Sequence, residues 1–246
     1  MTADDLQRVL LDNYRTGQAT ISSASLYDDI RSAWPYYDAN YRDLLADVDR
    51  EAAILDVGTG PGTLLAWLRE AGFRSVKGVD ASPGDVNFAA SHLGEGVVTL
   101  GDAREVLEAR PGAYDVVMMK AVLEHVAKND LLPLLDALSR SLRPRGRLVV
   151  EVPNMDWLLA AHERYMDLTH QGGFTPQSLE SLLRLRFASV SVRGSRLAAP
   201  TRSQRLLRRP LVALIRHALY VLGEGGDASW FHNRSLIALA RDPSAS

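Results

Sequence analysis

The stretch Ile54-Leu55-Asp56-Val57-Gly58-Thr59-Gly60-Pro61-Gly62-Thr63 decides the reading of this chain. Ala53 to Val57 is a short apolar run of strand character, and from Leu64 to Leu68 the pattern becomes helical, closing near Gly72. Three glycines between them make a tight turn where backbone approaches a ligand and no Cβ is tolerated. The helix that follows offers amides with no partner of their own. A dinucleotide fingerprint would need its third glycine three residues after the second, and position 63 is Thr. A phosphate-binding Walker loop would need Gly-Lys-Ser/Thr, which is missing.

Working outward, the same strand–helix alternation continues. Ser75 to Val79, Val97 to Leu100, Tyr114 to Met119 and Arg147 to Val152 read as further strands, with helices after Pro83 and over Leu131 to Leu142. Phe187 to Val192 and Ser235 to Ala240 complete the set, after a helix over Thr175 to Leu185 with Thr175 as N-cap and Pro176 in its first turn. Such alternation means a doubly wound α/β fold, its parallel sheet covered on both faces. Before it, residues 1–50 carry Leu6, Val9, Leu10 and Leu11, then six aromatics from Tyr14 to Tyr41. They form a helical cap that either packs on the main domain or closes over a substrate.

Composition excludes several classes. With 246 residues, 46% hydrophobic and 24% charged, the chain buries a full core without staples. It has no cysteine, which removes disulfides and thiolate metal sites. A formal net charge of −2 gives no global footprint for nucleic acid. Asp4, Asp5 and Arg8 stand where a secretion signal needs an apolar segment, and no apolar run reaches a membrane span of ~18 residues, so the expected location is cytoplasmic.

Four further segments at strand ends extend the glycine loop. They are Gly78-Val79-Asp80-Ala81-Ser82, then Gly101-Asp102-Ala103, then Tyr114-Asp115-Val116-Val117-Met118-Met119 running on to Glu124-His125-Val126, and finally Leu142-Arg143-Pro144-Arg145-Gly146-Arg147-Leu148. Together they resemble the class I S-adenosylmethionine-dependent methyltransferases, closely over residues 50–155 and more loosely over 170–240. The resemblance implies a Rossmann-like seven-stranded sheet, mostly parallel, with an antiparallel last strand. It implies acceptor-side insertions at about 154–175 and 194–232 of the domain 51–246. It also implies S-adenosyl-L-methionine as cofactor, held by Asp56, Gly58, Thr59, Gly60, Gly62, Asp80, Ala81, Ser82, Asp102, Ala103 and Lys120. In it Asp56 and Gly58 meet the methionine amino end, Asp80 the ribose hydroxyls, and Asp102 with Ala103 the adenine. A dehydrogenase or a catalytically silent scaffold are the alternatives, and the intact loop and ribose carboxylate count against the scaffold.

Methyl transfer from a sulfonium is an in-line displacement, and a hydroxyl acceptor gains from a general base. His125, after the fourth strand, and His170, in Tyr165-Met166-Asp167-Leu168-Thr169-His170, are the candidates, with Asp167 as partner. The second stretch resembles the Asp-x-Thr-His…Phe-Thr pattern of methyltransferases in polysaccharide, glycoconjugate and natural-product gene clusters. The expected acceptor is therefore a sugar hydroxyl of a glycan, glycolipid or glycosylated metabolite. N- or O-methylation of a small secondary metabolite is the alternative. Glu124, His125, Glu151, Asp167 and His170 also offer metal ligands. The Glu-x-x-Glu-His motif of ubiquinone-pathway O-methyltransferases has Ala121 here in place of its first glutamate, so no metal is assigned.

Lastly, Arg202, Arg205, Arg208 and Arg209 precede an amphipathic run from Leu211 to Leu222. That run is read either as a helix packed on the domain, started or kinked at Pro210, or as peripheral contact of residues 202–222 with an anionic membrane. Nucleic acid is not an expected partner, because the basic run lacks interleaved aromatics.

Overall fold

The computed structural model describes residues 30–198, 200–223 and 230–244. The expectations for Leu6 to Leu11, Tyr14 and Tyr27 lie outside them. The strands are β1 (Ala53–Val57), β2 (Ser75–Asp80), β3 (Val98–Leu100), β4 (Tyr114–Lys120), β5 (Leu142–Pro153), β6 (Phe187–Gly194) and β7 (Ser235–Pro243). They form one sheet in the order β3-β2-β1-β4-β5-β7-β6. β1 to β5 pair in parallel, and β7 runs antiparallel to both β5 and β6. The α/β class and the antiparallel last strand are both as expected.

Successive strand residues point to opposite faces, and both faces are covered. Leu55, Val57, Val117, Met119, Leu148 and Val150 join one hydrophobic cluster with Leu107, Leu135, Leu138, Leu179 and Leu183. Ile54, Val116, Met118 and Val149 join the other with Leu65, Trp67, Leu68, Tyr37 and Tyr41. The helices around the sheet are α1 (Trp34–Asn40), with Tyr41 just past its end, α2 (Thr63–Glu70), α3 (Pro83–Leu93), α4 (Ala103–Glu108), α5 (Leu131–Ser141) and α7 (Pro176–Leu183). A short α6 (Ala160–Tyr165) and a long α8 (Arg202–Val221) lie between them and the end of the sheet.

Several boundaries differ from the expected ones. α5 stops at Ser141 because Pro144 cannot extend a helix and pushes its neighbour into extended backbone. β5 therefore begins at Leu142 rather than Arg147, pairs there with Tyr114, and shifts register before Arg147 meets Val116. The Asp102 carboxylate caps α4, a six-residue helix that leaves too little periodicity to be seen in the sequence. α7 has the expected cap: Thr175 Oγ1 accepts from Ser178 N, Ser178 Oγ accepts from Thr175 N, and Pro176 sits in the first turn.

The described part of the N-terminal cap packs into the core. Tyr37 and Tyr41 are buried and stacked with ring centres 5.7 Å apart, and both meet Trp67 edge-on. Asp38 accepts from the Trp67 indole N–H at 3.0 Å. α8 behaves in the opposite way. It is one helix with Pro210 inside it, and none of its residues is buried.

Candidate active site

The order of the strands reverses direction between β1 and β4, and the crevice beyond their carboxyl ends is where doubly wound sheets bind ligands. The glycine turn leaves β1 at that point. Gly58 has φ +69, and a Cβ there would overlap the Val122 side chain, so the turn requires glycine on two grounds. Gly60 (φ +54) faces open space, which leaves its backbone approachable. Asp80, at the tip of β2, accepts from Gly60 N at 2.7 Å and from Ser82 N at 2.8 Å. One carboxylate thus ties the glycine turn to the second strand.

Around this tie the other expected residues take distinct places. Thr59 is buried and its hydroxyl donates to the Asp56 carbonyl at 2.9 Å. Gly62 caps α2 in left-handed backbone, and Ser82 caps α3 by accepting from Asp85 N. Ala81 lies between Asp80 and that cap. Asp102 is exposed and accepts from Arg104 N and Glu105 N, with Ala103 opening α4 behind it. Asp56 is almost wholly buried, and burial pushes its carboxyl up to about 8, with the Lys120 charge pulling the other way. Burial also raises Asp80, against the amides of Ser82 and Gly60, which favour its anion.

Lys120 ends β4 in register with Glu151 of β5. Burial disfavours its ammonium, but the charges around it, Glu151 foremost, win and hold its pKa above the usual range. Glu151 is buried and accepts from Tyr36 OH at 2.8 Å and from Tyr41 OH. Burial and the Glu151 charge raise both phenols. The Tyr37 hydroxyl shares a hydrogen bond with Thr63 Oγ1 at 2.8 Å. The N-terminal aromatics thus brace the strand tips through their hydroxyls as well as their rings. Their spacing showed an apolar stripe, and nothing in it marked Glu151 as the phenols' partner.

The third group follows β4. Glu124 and His125 stand in a single 3-10 turn (Leu123–His125), and the loop carrying Asp167 to His170 folds over it. Gln171 N and Gly172 N both donate to the Glu124 carbonyl, at 2.7 and 3.1 Å. This backbone clasp brings together three residues expected as catalytic, His125, His170 and Asp167. The imidazoles of His125 and His170 have centres 4.8 Å apart. Thr169 Oγ1 donates to Asp167 Oδ1 at 2.6 Å and lies 2.7 Å from His125 Nδ1. A hydroxyl has one proton, so His125 Nδ1 is the donor in the second bond. The neutral ring therefore carries its lone pair on Nε2. Burial, then the neighbouring His170, lowers His125 to about 4, so it is neutral at pH 7.

Glu124 was expected as a candidate metal ligand but not among the catalytic or cofactor residues. It is 1% exposed, neither carboxylate oxygen has a hydrogen-bond partner among the described residues, and burial pushes it up to about 8. Its ligating atoms and those of His125 and His170 lie within 4.8 Å of one another. Glu151, also considered as a metal ligand, is taken by the two tyrosines instead.

Comparison with known proteins fits this geometry. The family described as "Methyltransferase domain" matches residues 31–186, from before α1 to the end of α7. The chain belongs to this family. The ubiquinone biosynthesis O-methyltransferase of Caulobacter sp. strain K31 is 34% identical over 105 residues, 41% of this chain and 40% of that one. The Caulobacter vibrioides protein of the same name is 32% identical over 123 residues, 45% and 48% of the two chains. The chain thus matches less than half the length of these curated relatives. Among solved structures, a SAM-dependent methyltransferase from Archaeoglobus fulgidus superposes with a TM-score of 0.60 at 23% identity, covering 89% of this chain and 94% of that one. At that identity the likeness speaks for the fold.

Within the methyltransferase frame, Asp56, Gly58, Gly60, Asp80 and Lys120 converge on one crevice, and His125, His170, Asp167 and Glu124 form a second group beside it. The two groups meet through Lys120, which feels both the Asp56 and the Glu124 charge.

Proposed function

We propose that this protein is an S-adenosyl-L-methionine-dependent O-methyltransferase acting on a hydroxyl of an acceptor with a polar head and an apolar part, a glycolipid or glycosylated metabolite. The observation that carries it is the Asp167–Thr169–His125 chain of hydrogen bonds at the tip of β4. S-adenosyl-L-methionine supplies an electrophilic methyl group. Asp80 would take the ribose hydroxyls, the open backbone at Gly60 would lie against the donor, and Asp56 would meet its amino group. Family membership and strand-tip placement support these roles.

On the acceptor side, Asp167 holds the Thr169 hydroxyl, Thr169 holds His125 Nδ1–H, and the other ring nitrogen, Nε2, would be the base for the acceptor's proton. Leu158, Leu159, Tyr165, Met166 and Leu168, all more than half exposed, stand in the segment that leads into Thr169 and His170 and favour an acceptor with an apolar portion over a free sugar. The test is transfer of labelled methyl to a panel of glycolipids, free sugars and small phenols, with S-adenosylhomocysteine binding followed in parallel. Glycolipid labelling is the expected result. S-adenosylhomocysteine binding with labelling confined to free sugars or amines would replace the acceptor, and no binding by folded protein would remove the donor.

A second reading of the acceptor group follows from Glu124. A buried carboxylate without hydrogen bonds, facing two imidazoles, has the composition of a divalent-cation site, and a hydroxyl holding the far nitrogen of His125 is the support such ligands receive. Glu124, His125 and His170 would hold the ion, which would lower the acceptor hydroxyl's pKa. Calorimetric titration with Mn2+ or Zn2+ tests this: binding that disappears in both Glu124→Gln and His170→Ala supports it, and no binding by the wild type removes it.

A further inference from the structure

We propose that α8 is a membrane-surface helix that docks the protein on anionic lipid, apart from any role in the chemistry. The inference does not depend on the acceptor class. At 100° per residue, Arg208, Val212, Ile215 and Leu219 fall on one side of α8, and these four are its part-exposed residues, so that side faces the body. The opposite side carries Leu206, Leu207, Leu214, Tyr220 and Val221, each between 63% and 72% exposed. Arg202, Arg209 and Arg216 run along one border of that apolar face. A folded domain rarely leaves so many large apolar side chains in water on a single helix.

Charge selects the occupant. Between Phe187 and Gly223 there are seven arginines and no aspartate or glutamate, in a chain whose formal net charge is −2. An apolar face bordered by arginines complements an anionic headgroup layer, with leucines entering the acyl boundary and guanidinium groups staying at phosphate depth. A second copy fits less well, because an antiparallel two-fold contact would bring two such arginine borders together. No helix among the described residues is long and apolar enough to cross a membrane, so α8 would lie on the surface. Pro210 removes one helical donor, and the carbonyl it leaves, that of Leu206, belongs to an exposed residue that headgroups or water can reach.

The helix is also well placed. The chain returns from it at Trp230 to Arg234, where Asn154 Nδ2 donates to the Trp230 and Asn233 carbonyls and Leu158 N donates to the Phe231 carbonyl. His232 there senses the charges of Arg208 and Arg216. Docking through α8 would bring the exposed Leu158 and Leu159 toward the same lipid surface.

The test is cosedimentation of the full chain with vesicles of phosphatidylcholine alone and of phosphatidylcholine with phosphatidylglycerol. Binding is expected only to the second and should weaken as salt rises. Arg202→Gln, Arg209→Gln and Arg216→Gln should each lower partitioning roughly fivefold. The double variant Leu207→Gln, Leu214→Gln should lose binding while its thermal melting matches the wild type. Equal partitioning to both vesicles, no partitioning, or variants that bind like the wild type would overturn the proposal. So would a dimer in light scattering that the leucine variant dissociates, with no vesicle binding.

Discussion

The donor end and the acceptor end of this molecule are built on the same strand tips yet differ in how finished they are. At the donor end, Asp80 is already satisfied by two backbone amides, Thr59 by the Asp56 carbonyl, and α3 and α4 by the Ser82 and Asp102 caps. At the acceptor end, the buried Glu124 carboxylate has no hydrogen-bond partner among the described residues, two imidazoles meet edge-on, and Leu158, Leu159 and Leu168 are exposed. The first region is preorganised by its own backbone. In the second, a buried carboxylate is left without a hydrogen bond among the described residues, a cost that a bound group could offset.

The largest expected effect breaks the donor end. Asp80→Ala removes two charge-assisted hydrogen bonds from the glycine turn along with the ribose acceptor, and S-adenosylhomocysteine affinity should fall about 100-fold by calorimetry. An affinity within a few-fold of wild type would show that the two ends differ for some other reason. Next is the acceptor end. Thr169→Val cuts the link between Asp167 and His125, and kcat should drop roughly 10- to 100-fold while donor affinity stays constant. If donor affinity falls with it, the two ends are not separable in this way.

A pH experiment sharpens the contrast in stability. Asp56 has its folded pKa raised to about 8, so the folded state binds more protons than the unfolded one between the ordinary carboxylate range and that value. Its contribution is fully present at low pH and is lost as pH rises through about 8. Without ligand, Asp56→Asn should therefore flatten the decline in melting temperature between about pH 5 and pH 8, a difference on the order of 4 kcal/mol. His125 has the opposite sign. With its folded pKa lowered to about 4, its contribution is present above the ordinary histidine range and is lost as pH falls toward 4. His125→Gln should remove that acid-side loss, read from the same melting curves. The smallest effect is expected at Ala121, which holds left-handed backbone (φ 56) just past β4, where Ala121→Gly should raise stability by about 1 kcal/mol or less.

The same contrast explains what could be read in advance. Alternation such as Ile54/Leu55, Val116/Val117 and Leu148/Val149 marks a two-faced sheet because each element is set by its immediate neighbours. The glycine turn and the carboxylate at the tip of β2 were legible for the same reason, because both are local features. The acceptor group is assembled by contacts across long stretches of chain. His125 and Thr169 are 44 residues apart, and Tyr41 and Glu151 are 110 apart. No spacing rule links such pairs, so Asp167 and His170 could be nominated while the isolation of Glu124 and the service of Tyr36 and Tyr41 to Glu151 could not. The periodicity of α8 showed an apolar stripe, but not that the stripe stays in water.

The place of β7 bears on how the chain assembles. It lies inside the sheet, between β5 and β6, and among the described residues β6 hydrogen-bonds to no other strand. During synthesis residues 187–194 therefore wait unpaired until residues 235–243 have left the ribosome, with the whole of α8 made in the interval. Closing that gap is a late, long-range step of the kind that slows folding. In the meantime the apolar edges of β5 and β6 are open to chaperones, or to the same strand of a neighbouring nascent chain.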